Sequence, residues 1–189
     1  MKNSKISPLS HPLDDELQTQ MDKIFPPVLP SPNLYRIVAK NKALFMDLIT
    51  TKFIGSTGIF DKKRIPPEMR EKIILRTCVV TKNDYEFALH EETISRKMGI
   101  SGEQITDIIN AEPNSTLWKE SDLALFRLID TLVSGKDIED KLFTWVSNYY
   151  SEEELIDIIL IIGFYTTVGM LVSFAKPEKD NYAKFIKHG

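Results

Sequence analysis

Cysteine is almost absent from the chain, which carries Cys78 as the one cysteine in 189 residues. An intrachain disulfide, a CxxC redox pair and a cysteine-based zinc site all need at least two cysteines, so all three are excluded. No metal site and no cofactor site is predicted. A reducing, cytoplasmic environment suits such a chain.

A surplus of one charge sign is also lacking. The formal net charge is −3, and lysine and arginine are interleaved with acidic residues along the whole chain. Because nucleic-acid binders usually carry a basic patch, we do not expect a nucleic-acid partner. The basic residues near Met1 are not followed by an apolar segment, so no secretory signal peptide is expected. Together these observations predict a cytoplasmic protein.

Strand-like alternation of apolar and polar residues is missing beyond short stretches, whereas apolar residues at helical spacing recur throughout. The pattern predicts an all-α, single-domain fold of about seven or eight helices. Capping residues and breakers place these helices at about 13–24, 33–53, 67–82, 84–98, after Ser101, 116–133, 138–149 and after Ser151.

Three segments are predicted from this pattern. Residues 1–32 form an N-terminal arm with a short helix and a proline-rich loop, residues 33–175 form the helical domain, and residues 176–189 form a C-terminal tail. The helical domain contains enough apolar residues for one core.

The last predicted helix contains eighteen uncharged residues in succession, from Ile158 to Ala175. This length is sufficient for a membrane span, so a tail-anchored protein is one interpretation. The run includes Gly163, Thr166 and Ser173, and Asp157 precedes it, which makes it less apolar than a typical span. We therefore favour burial in the core, with part of the helix in contact with another subunit.

Three ionisable residues interrupt the apolar faces of two consecutive helices. Glu71 lies four residues before Leu75 on the apolar face of one helix, and Glu86 and His90 lie one turn apart on the next. A buried carboxylate or imidazole is costly unless it is paired, so a shared acid/base site explains all three. When Glu86 and His90 are considered without Glu71, an ordinary helix-surface pair is the favoured explanation, and adding Glu71 makes a shared site as good an explanation.

The same residues carry a family resemblance. The resemblance rests on the spacing Glu71-x11-Asn83-x2-Glu86-x3-His90, on Tyr85 and Phe87 around Glu86, on Lys97–Ser101, and on the outer stretches 33–44 and 154–165. The pattern resembles the carboxymuconolactone decarboxylase family and its relative alkylhydroperoxidase D, in particular a mostly uncharacterised branch without the CxxC. It covers residues 33–175 and implies the helical bundle of the alkylhydroperoxidase D-like proteins, which are usually homo-oligomers, commonly trimers or multiples of them.

The resemblance also implies what the site does. In the peroxidase branch a glutamate, two cysteines and a histidine form a proton relay, and these positions fall on Glu71, Asn83, Glu86 and His90. Without the dithiol, peroxide reduction through an intramolecular disulfide is excluded. Cys78, among Ile74, Leu75 and Val79, is expected to be an inert core thiol.

The decarboxylase branch implies acid/base chemistry without a cofactor, on a small organic acid or lactone. Catalytic roles are predicted for Glu71, Glu86 and His90, with Glu86 and His90 as proton donor and orienting group. Arg76 is a candidate for holding a substrate carboxylate, and Tyr165 either lies at the site or anchors helix packing. The alternatives are a catalytically silent scaffold or binding module, a one-cysteine peroxidase and the tail-anchored protein.

Overall fold

The computed structural model describes residues 4–25, 29–55 and 58–182, and the ordered elements in these ranges are helical. In chain order they are α1 (Asp15–Ile24), α2 (Asn33–Val38), α3 (Lys42–Thr50), a 3-10 turn (Ile59–Asp61), α4 (Pro67–Val80), α5 (Asp84–Thr93), α6 (Gly102–Asp107), α7 (Glu120–Val133), α8 (Asp140–Ser147) and α9 (Glu152–Ala175). The all-α prediction is confirmed for the described part of the chain.

Two compact units can be distinguished, Met1–Lys63 with Leu171–Gly189 and Arg64–Met170. These ranges differ from the segments predicted from the sequence, whose boundaries at 32 and 175 stay predictions. The first unit contains α1, α2 and α3, and its core is formed by Leu13, Leu17, Met21, Ala39 and Phe45. The second unit contains the three ionisable residues.

The helix predicted from residue 33 to about residue 53 is in fact two helices. The chain leaves α2 at Ala39, and the side-chain oxygen of Asn41 then accepts a hydrogen bond of 3.2 Å from the amide of Leu44, which starts α3. The apolar spacing on both sides of the break is helical, so the pattern alone does not reveal it. Asn41, a good N-cap residue inside the run, was the available signal.

Helix α4 is the most enclosed element of the second unit, with an unbroken buried stretch from Glu71 to Cys78. Two basic side chains of α4 form ion pairs with acidic side chains of α7. Lys72 Nζ lies 3.0 Å from both carboxylate oxygens of Asp122, and Arg76 binds both carboxylate oxygens of Asp130 at 2.6 and 2.7 Å. These pairs fix the position of α4, which carries Glu71.

A tight turn connects α4 to α5. Lys82 has a positive φ of 54°, and Asn83 then caps α5, its Oδ1 accepting a hydrogen bond of 3.2 Å from the amide of Glu86. The helix ends at Thr93, five residues earlier than Met98, where the sequence placed its end. Gly99 has a φ of 94°, a left-handed conformation that glycine adopts without strain, and it closes the turn that follows α5.

Helix α9 is long, apolar and only partly covered. It is the one helix in the described residues that is long and apolar enough to cross a membrane, and 22% of its most apolar window is buried. Ile158, Ile161 and Ile162 are buried, and a Cβ at Gly169 would lie 2.9 Å from Thr81 Oγ1, so one face packs closely within the second unit. The predicted burial of the apolar run therefore holds for one face only.

Candidate functional site

The three predicted site residues are all withdrawn from solvent. Glu71 is completely buried, and Glu86 and His90 are 5% and 4% exposed. Glu71 lies on α4, and the other two lie one turn apart on α5. Since α5 follows α4 after a tight turn, the two helices pack together and bring these side chains to one place.

A short hydrogen bond joins the two helices at this place. His90 Nδ1 lies 3.0 Å from Glu71 Oε1 and 3.1 Å from Oε2. A carboxylate only accepts hydrogen bonds, so the N–H at Nδ1 donates to Glu71. In the neutral ring this places the lone pair on Nε2.

Glu86 is near the opposite nitrogen but farther away. Its Oε2 lies 3.8 Å from His90 Nε2, within ion-pair range for a charged ring but beyond a hydrogen bond. The sequence predicts Glu86 and His90 as proton donor and orienting group, and these roles stay predictions, but the hydrogen bond of His90 Nδ1 is made to Glu71. The i, i+4 spacing brings Glu86 close, but the packing of α4 against α5 brings Glu71 closer.

Ser95 is a fourth member that the sequence analysis missed. Its hydroxyl donates a hydrogen bond of 2.6 Å to Glu71 Oε1, and the residue is completely buried. With α5 extended to Met98, Ser95 would lie about 140° around the helix from His90, on a different face. Because α5 ends at Thr93, the chain turns and returns Ser95 to the carboxylate.

The electrostatics of the site favour a charged pair. Burial by itself would lower the pKa of His90, but the neighbouring Glu71 carboxylate outweighs it, and the pKa of His90 is raised above its ordinary value of 6.5. Burial would likewise raise the pKa of Glu71, yet the His90 charge and the hydrogen bonds from His90 and Ser95 hold the pKa of Glu71 below its ordinary value of 4.5. The pair is therefore a buried carboxylate and imidazolium over the intervening pH range.

Tyr165 and Cys78 border the network. The Tyr165 ring meets the His90 ring edge-on at a centroid distance of 5.8 Å, which places Tyr165 of α9 beside the site. Burial, followed by the negative charges of Glu86 and Glu71, raises the pKa of the Cys78 thiol well above its ordinary value. Since thiolate is the reactive form, Cys78 is an inert core thiol, as predicted.

Arg76 does not belong to the site. Besides binding Asp130, its Nη1 donates to the backbone carbonyls of Ile108 and Asn110 at 2.7 and 2.6 Å. The guanidinium is thus engaged in joining α4 to α7 and to the chain after α6, and the side chain is 3% exposed. The suggestion that Arg76 holds a substrate carboxylate is wrong, because its buried guanidinium is already bound to groups of the protein and serves to hold the helices together.

Within residues 4–25, 29–55 and 58–182, no three or more His, Cys, Asp or Glu side chains are grouped so that they could hold a metal ion.

Sequence comparison gives no relative, since no protein-family model matches the chain. A search of curated proteins gives no match either.

Solved structures resemble the chain along nearly its whole length. Debrominase Bmp8 in its apo form has a TM-score of 0.76 and 17% identity, covering 97% of this chain and 96% of that one. A cysteine-to-alanine variant of Bmp8 in complex with 2,3,4-tribromopyrrole gives a TM-score of 0.77 at 17% identity, with 97% and 95% covered. An uncharacterized peroxidase-related protein from Silicibacter sp. TM1040 gives 0.75 at 14% identity, with 95% of each chain covered.

Identities of this size establish the fold and nothing finer. The similarity extends across both compact units, so the two units are parts of one fold that these proteins share. This chain has the all-α fold of the carboxymuconolactone decarboxylase and alkylhydroperoxidase D-like proteins.

Proposed function

We propose that this protein performs acid/base chemistry without a cofactor, decarboxylation or proton transfer, on a small organic acid or lactone. The observation that carries the proposal is the buried network in which His90 donates to Glu71 and Ser95 donates to the same carboxylate. Burying an ion pair costs several kcal/mol unless its partners are arranged closely, and apolar residues of similar volume are often as stable. A protein keeps such a network, despite the free-energy cost of burying the ion pair, where a proton must be held on one particular atom.

The network assigns distinct roles to its members. Glu71 and Ser95 fix the ring, because Glu71 accepts the hydrogen bond from the Nδ1–H of His90 and Ser95 donates a hydrogen bond to Glu71. They are therefore positioning residues. Nε2 is the ring atom left to exchange a proton, and Glu86 lies 3.8 Å from it. Since the pKa of His90 is raised above its ordinary value, the protonated ring is favoured and can serve as a proton donor.

A decarboxylation at this site would use the proton as follows. The bond between the carboxylate and its carbon breaks, carbon dioxide leaves, and the electron pair remains on the carbon. That carbon takes the proton from His90 Nε2, and His90 is protonated again from water. The Glu86 carboxylate stabilises the imidazolium before the transfer, and this chemistry requires no metal or redox group.

The structural neighbours support a small-molecule substrate. One of them is in complex with 2,3,4-tribromopyrrole, a small ring compound, and another is described as peroxidase-related. A one-cysteine peroxidase is a poor candidate here, because Cys78 is buried and its thiol pKa is raised. We further propose that the protein acts in the cytoplasm as a homo-oligomer and without nucleic acid.

A catalytically silent scaffold or binding module is the second candidate. The observation in its favour is that Glu71 has all its partners inside the protein, as a purely structural network would. The two candidates differ in the role of His90, which donates a proton to a substrate in the first and only stabilises the fold in the second.

The deciding experiment is a screen of small lactones and carboxylic acids, scored by carbon dioxide release and by deuterium uptake from D₂O into the substrate. With a substrate that turns over, we expect His90→Gln to lower the rate by about 10²- to 10⁴-fold, the usual contribution of a general acid or base. Glu92→Gln, an exposed change on the same helix, is the matched control and should leave the rate unchanged. No turnover at all would favour the silent scaffold, whereas equal rates for wild type and His90→Gln would show that His90 is not the proton donor.

A further inference from the structure

Helix α9 presents an exposed stripe along its outer face. The stripe consists of Ile156, Leu160, Gly163, Thr167, Met170 and Phe174, all of them exposed. Successive members are separated by four, three, four, three and four residues. This is the a/d spacing of a coiled-coil seam, so the six side chains lie in one nearly straight line.

The stripe is too apolar to be an ordinary solvent face. Its four large members are each at least 53% exposed, and no charged residue occurs between Ile158 and Ala175. Solvent-facing sides of amphipathic helices are normally charged and polar, and a contiguous apolar patch usually marks an interaction surface. The inner face of α9 is already packed, through Ile158, Ile161 and Ile162.

The order of side-chain sizes along the stripe is the same in both directions from position 165. Large residues stand at both ends, Ile156 and Phe174, followed by Leu160 and Met170, with the small Gly163 and Thr167 at the centre. An antiparallel copy centred at 165 would place each large residue opposite a large one and Gly163 opposite Thr167. Small residues at the centre let two helices approach closely, and a twofold axis requires such self-complementarity.

We propose that this stripe is the contact surface for a second copy of the chain, bound antiparallel about a twofold axis beside position 165. Leu160 packs against Met170 of the partner subunit, and Ile156 packs against the partner's Phe174. The proposal concerns α9 and is independent of the chemistry assigned to Glu71 and His90.

The charges at the two ends of α9 fit the same pairing. The first turn of the helix contains Glu152, Glu153 and Glu154, and Lys176 comes directly after its last residue. In the antiparallel register position 154 lies opposite position 176 of the other copy. Glu154 therefore faces a lysine, although Glu152 faces Glu178. Each helix end also faces the opposite end of its partner, which the helix dipoles favour. A parallel pairing would instead place three glutamates against three.

A lipid bilayer fits the exposed stripe less well than a second copy of the chain does. A spanning helix must be apolar around its circumference, and α9 would have to abandon the buried contacts of Ile158, Ile161 and Ile162. Asp157, at the start of the run, is held by Arg64 at 2.8 Å. Membrane association is one outcome of the test below.

Size-exclusion chromatography with light scattering on the full chain tests the surface. We expect wild type to be a dimer or an even multiple, and Leu160→Glu or Met170→Lys to lower the assembly mass, with at least a tenfold rise in dissociation constant. Both changes in one chain should restore the mass, because each new carboxylate then faces the partner's new ammonium. Thr106→Glu, an exposed change on α6, is the matched control. A monomeric wild type, a double variant no better than the single ones, or sedimentation of wild type with membranes in the absence of detergent would each overturn the proposal.

Cysteine cross-linking tests the orientation with gentler changes. In the antiparallel register a chain with Leu160→Cys and Met170→Cys should form a covalent dimer under mild oxidation, while each single variant should remain uncoupled. Efficient coupling of the single variants would show a parallel pairing and overturn the proposal. The buried Cys78 stays in place, since its thiol is inaccessible.

Discussion

Glu71 and His90, nineteen residues apart on consecutive helices, form a hydrogen bond of 3.0 Å between Glu71 Oε1 and His90 Nδ1. Both side chains are at least 95% buried. A carboxylate and an imidazole at this distance and depth determine each other's protonation, because each stabilises the charged form of the other.

Removing the Glu71 charge should lower the pKa of His90. Burial lowers the pKa of His90, and in Glu71→Gln the carboxylate charge that outweighs this effect is gone. We therefore expect the His90 pKa to fall by about 1 to 3, the usual effect of an adjacent opposite charge. An NMR titration of the His90 ring measures this, with the resonance assigned from His90→Gln. Glu92→Gln on the exposed side of α5 should leave the titration in place. An unchanged His90 pKa in Glu71→Gln would contradict the electrostatic coupling of the two residues.

Stability should depend on pH through both partners. The raised pKa of His90 gives stabilisation that is complete below its unfolded value of about 6.5 and is lost as pH rises through the folded pKa. The lowered pKa of Glu71 gives stabilisation that is present above its unfolded value and is lost as pH falls through the folded pKa. Urea unfolding across a pH series should therefore show a maximum between the two pKa values. The alkaline decline should disappear in His90→Gln, and its persistence there would assign it to another group.

Ser95→Ala should destabilise the protein although serine and alanine differ by one atom. The change removes a hydrogen bond of 2.6 Å to a buried carboxylate, and bonds of this kind contribute about 1.5 to 3 kcal/mol. Urea unfolding gives the loss directly. Ser134→Ala, at an exposed position, is the matched control and should change the free energy of unfolding by less than about 0.5 kcal/mol. Similar losses for both variants would remove Ser95 from the network.

Arg76 and Arg64 allow a comparison of a buried and an exposed arginine. Arg76→Lys loses the paired contact with Asp130 and leaves buried carbonyls without a donor, so we expect a loss of about 3 kcal/mol. Arg64 binds Asp157 with 45% of its side chain exposed, and Arg64→Lys should cost about 1 kcal/mol or less. A substrate-binding Arg76 would instead show a raised KM with unchanged stability.

Gly169 should not tolerate alanine. The added methyl would meet Thr81 Oγ1 at 2.9 Å and Thr81 Cβ at 3.0 Å, so α9 would have to move away from the end of α4. We expect a loss of about 1 to 3 kcal/mol by overpacking. The Cβ added by Gly163→Ala on the same helix meets nothing within 4 Å among the described residues outside the helix's own backbone, and this change should gain up to about 1 kcal/mol from helix propensity. Both are best measured by thermal unfolding in a Leu160→Glu background, which keeps subunit contacts out of the comparison.

Sequence signals that act within one turn of helix predict where several helices begin, and these starts agree with the structure. Pro67 begins α4 at the predicted residue, and Ser101 with Gln104 and Ser151 with Glu154 cap the helices predicted to follow Ser101 and Ser151. Each signal depends on neighbouring backbone groups and not on the rest of the fold. This is why the number and order of helices could be largely predicted.

The arrangement at the site depends on longer distances and was predicted only in part. The sequence showed that Glu71 and His90 occupy apolar faces, because helical periodicity is visible in it. It did not show that Glu71 lies closer to His90 than Glu86 does, since that depends on the packing of two helices. Ser95 was missed because its position depends on where α5 ends, and the apolar pattern continues past Thr93.

The Glu71 carboxylate is shared by His90 and Ser95, so losing any one of the three leaves a buried polar group without its partner. Single replacements are costly, whereas a joint replacement by apolar residues of similar volume is nearly neutral for folding. The three positions should therefore be inherited as a unit. A descendant that had abandoned the proton chemistry would be recognised by the simultaneous loss of all three residues.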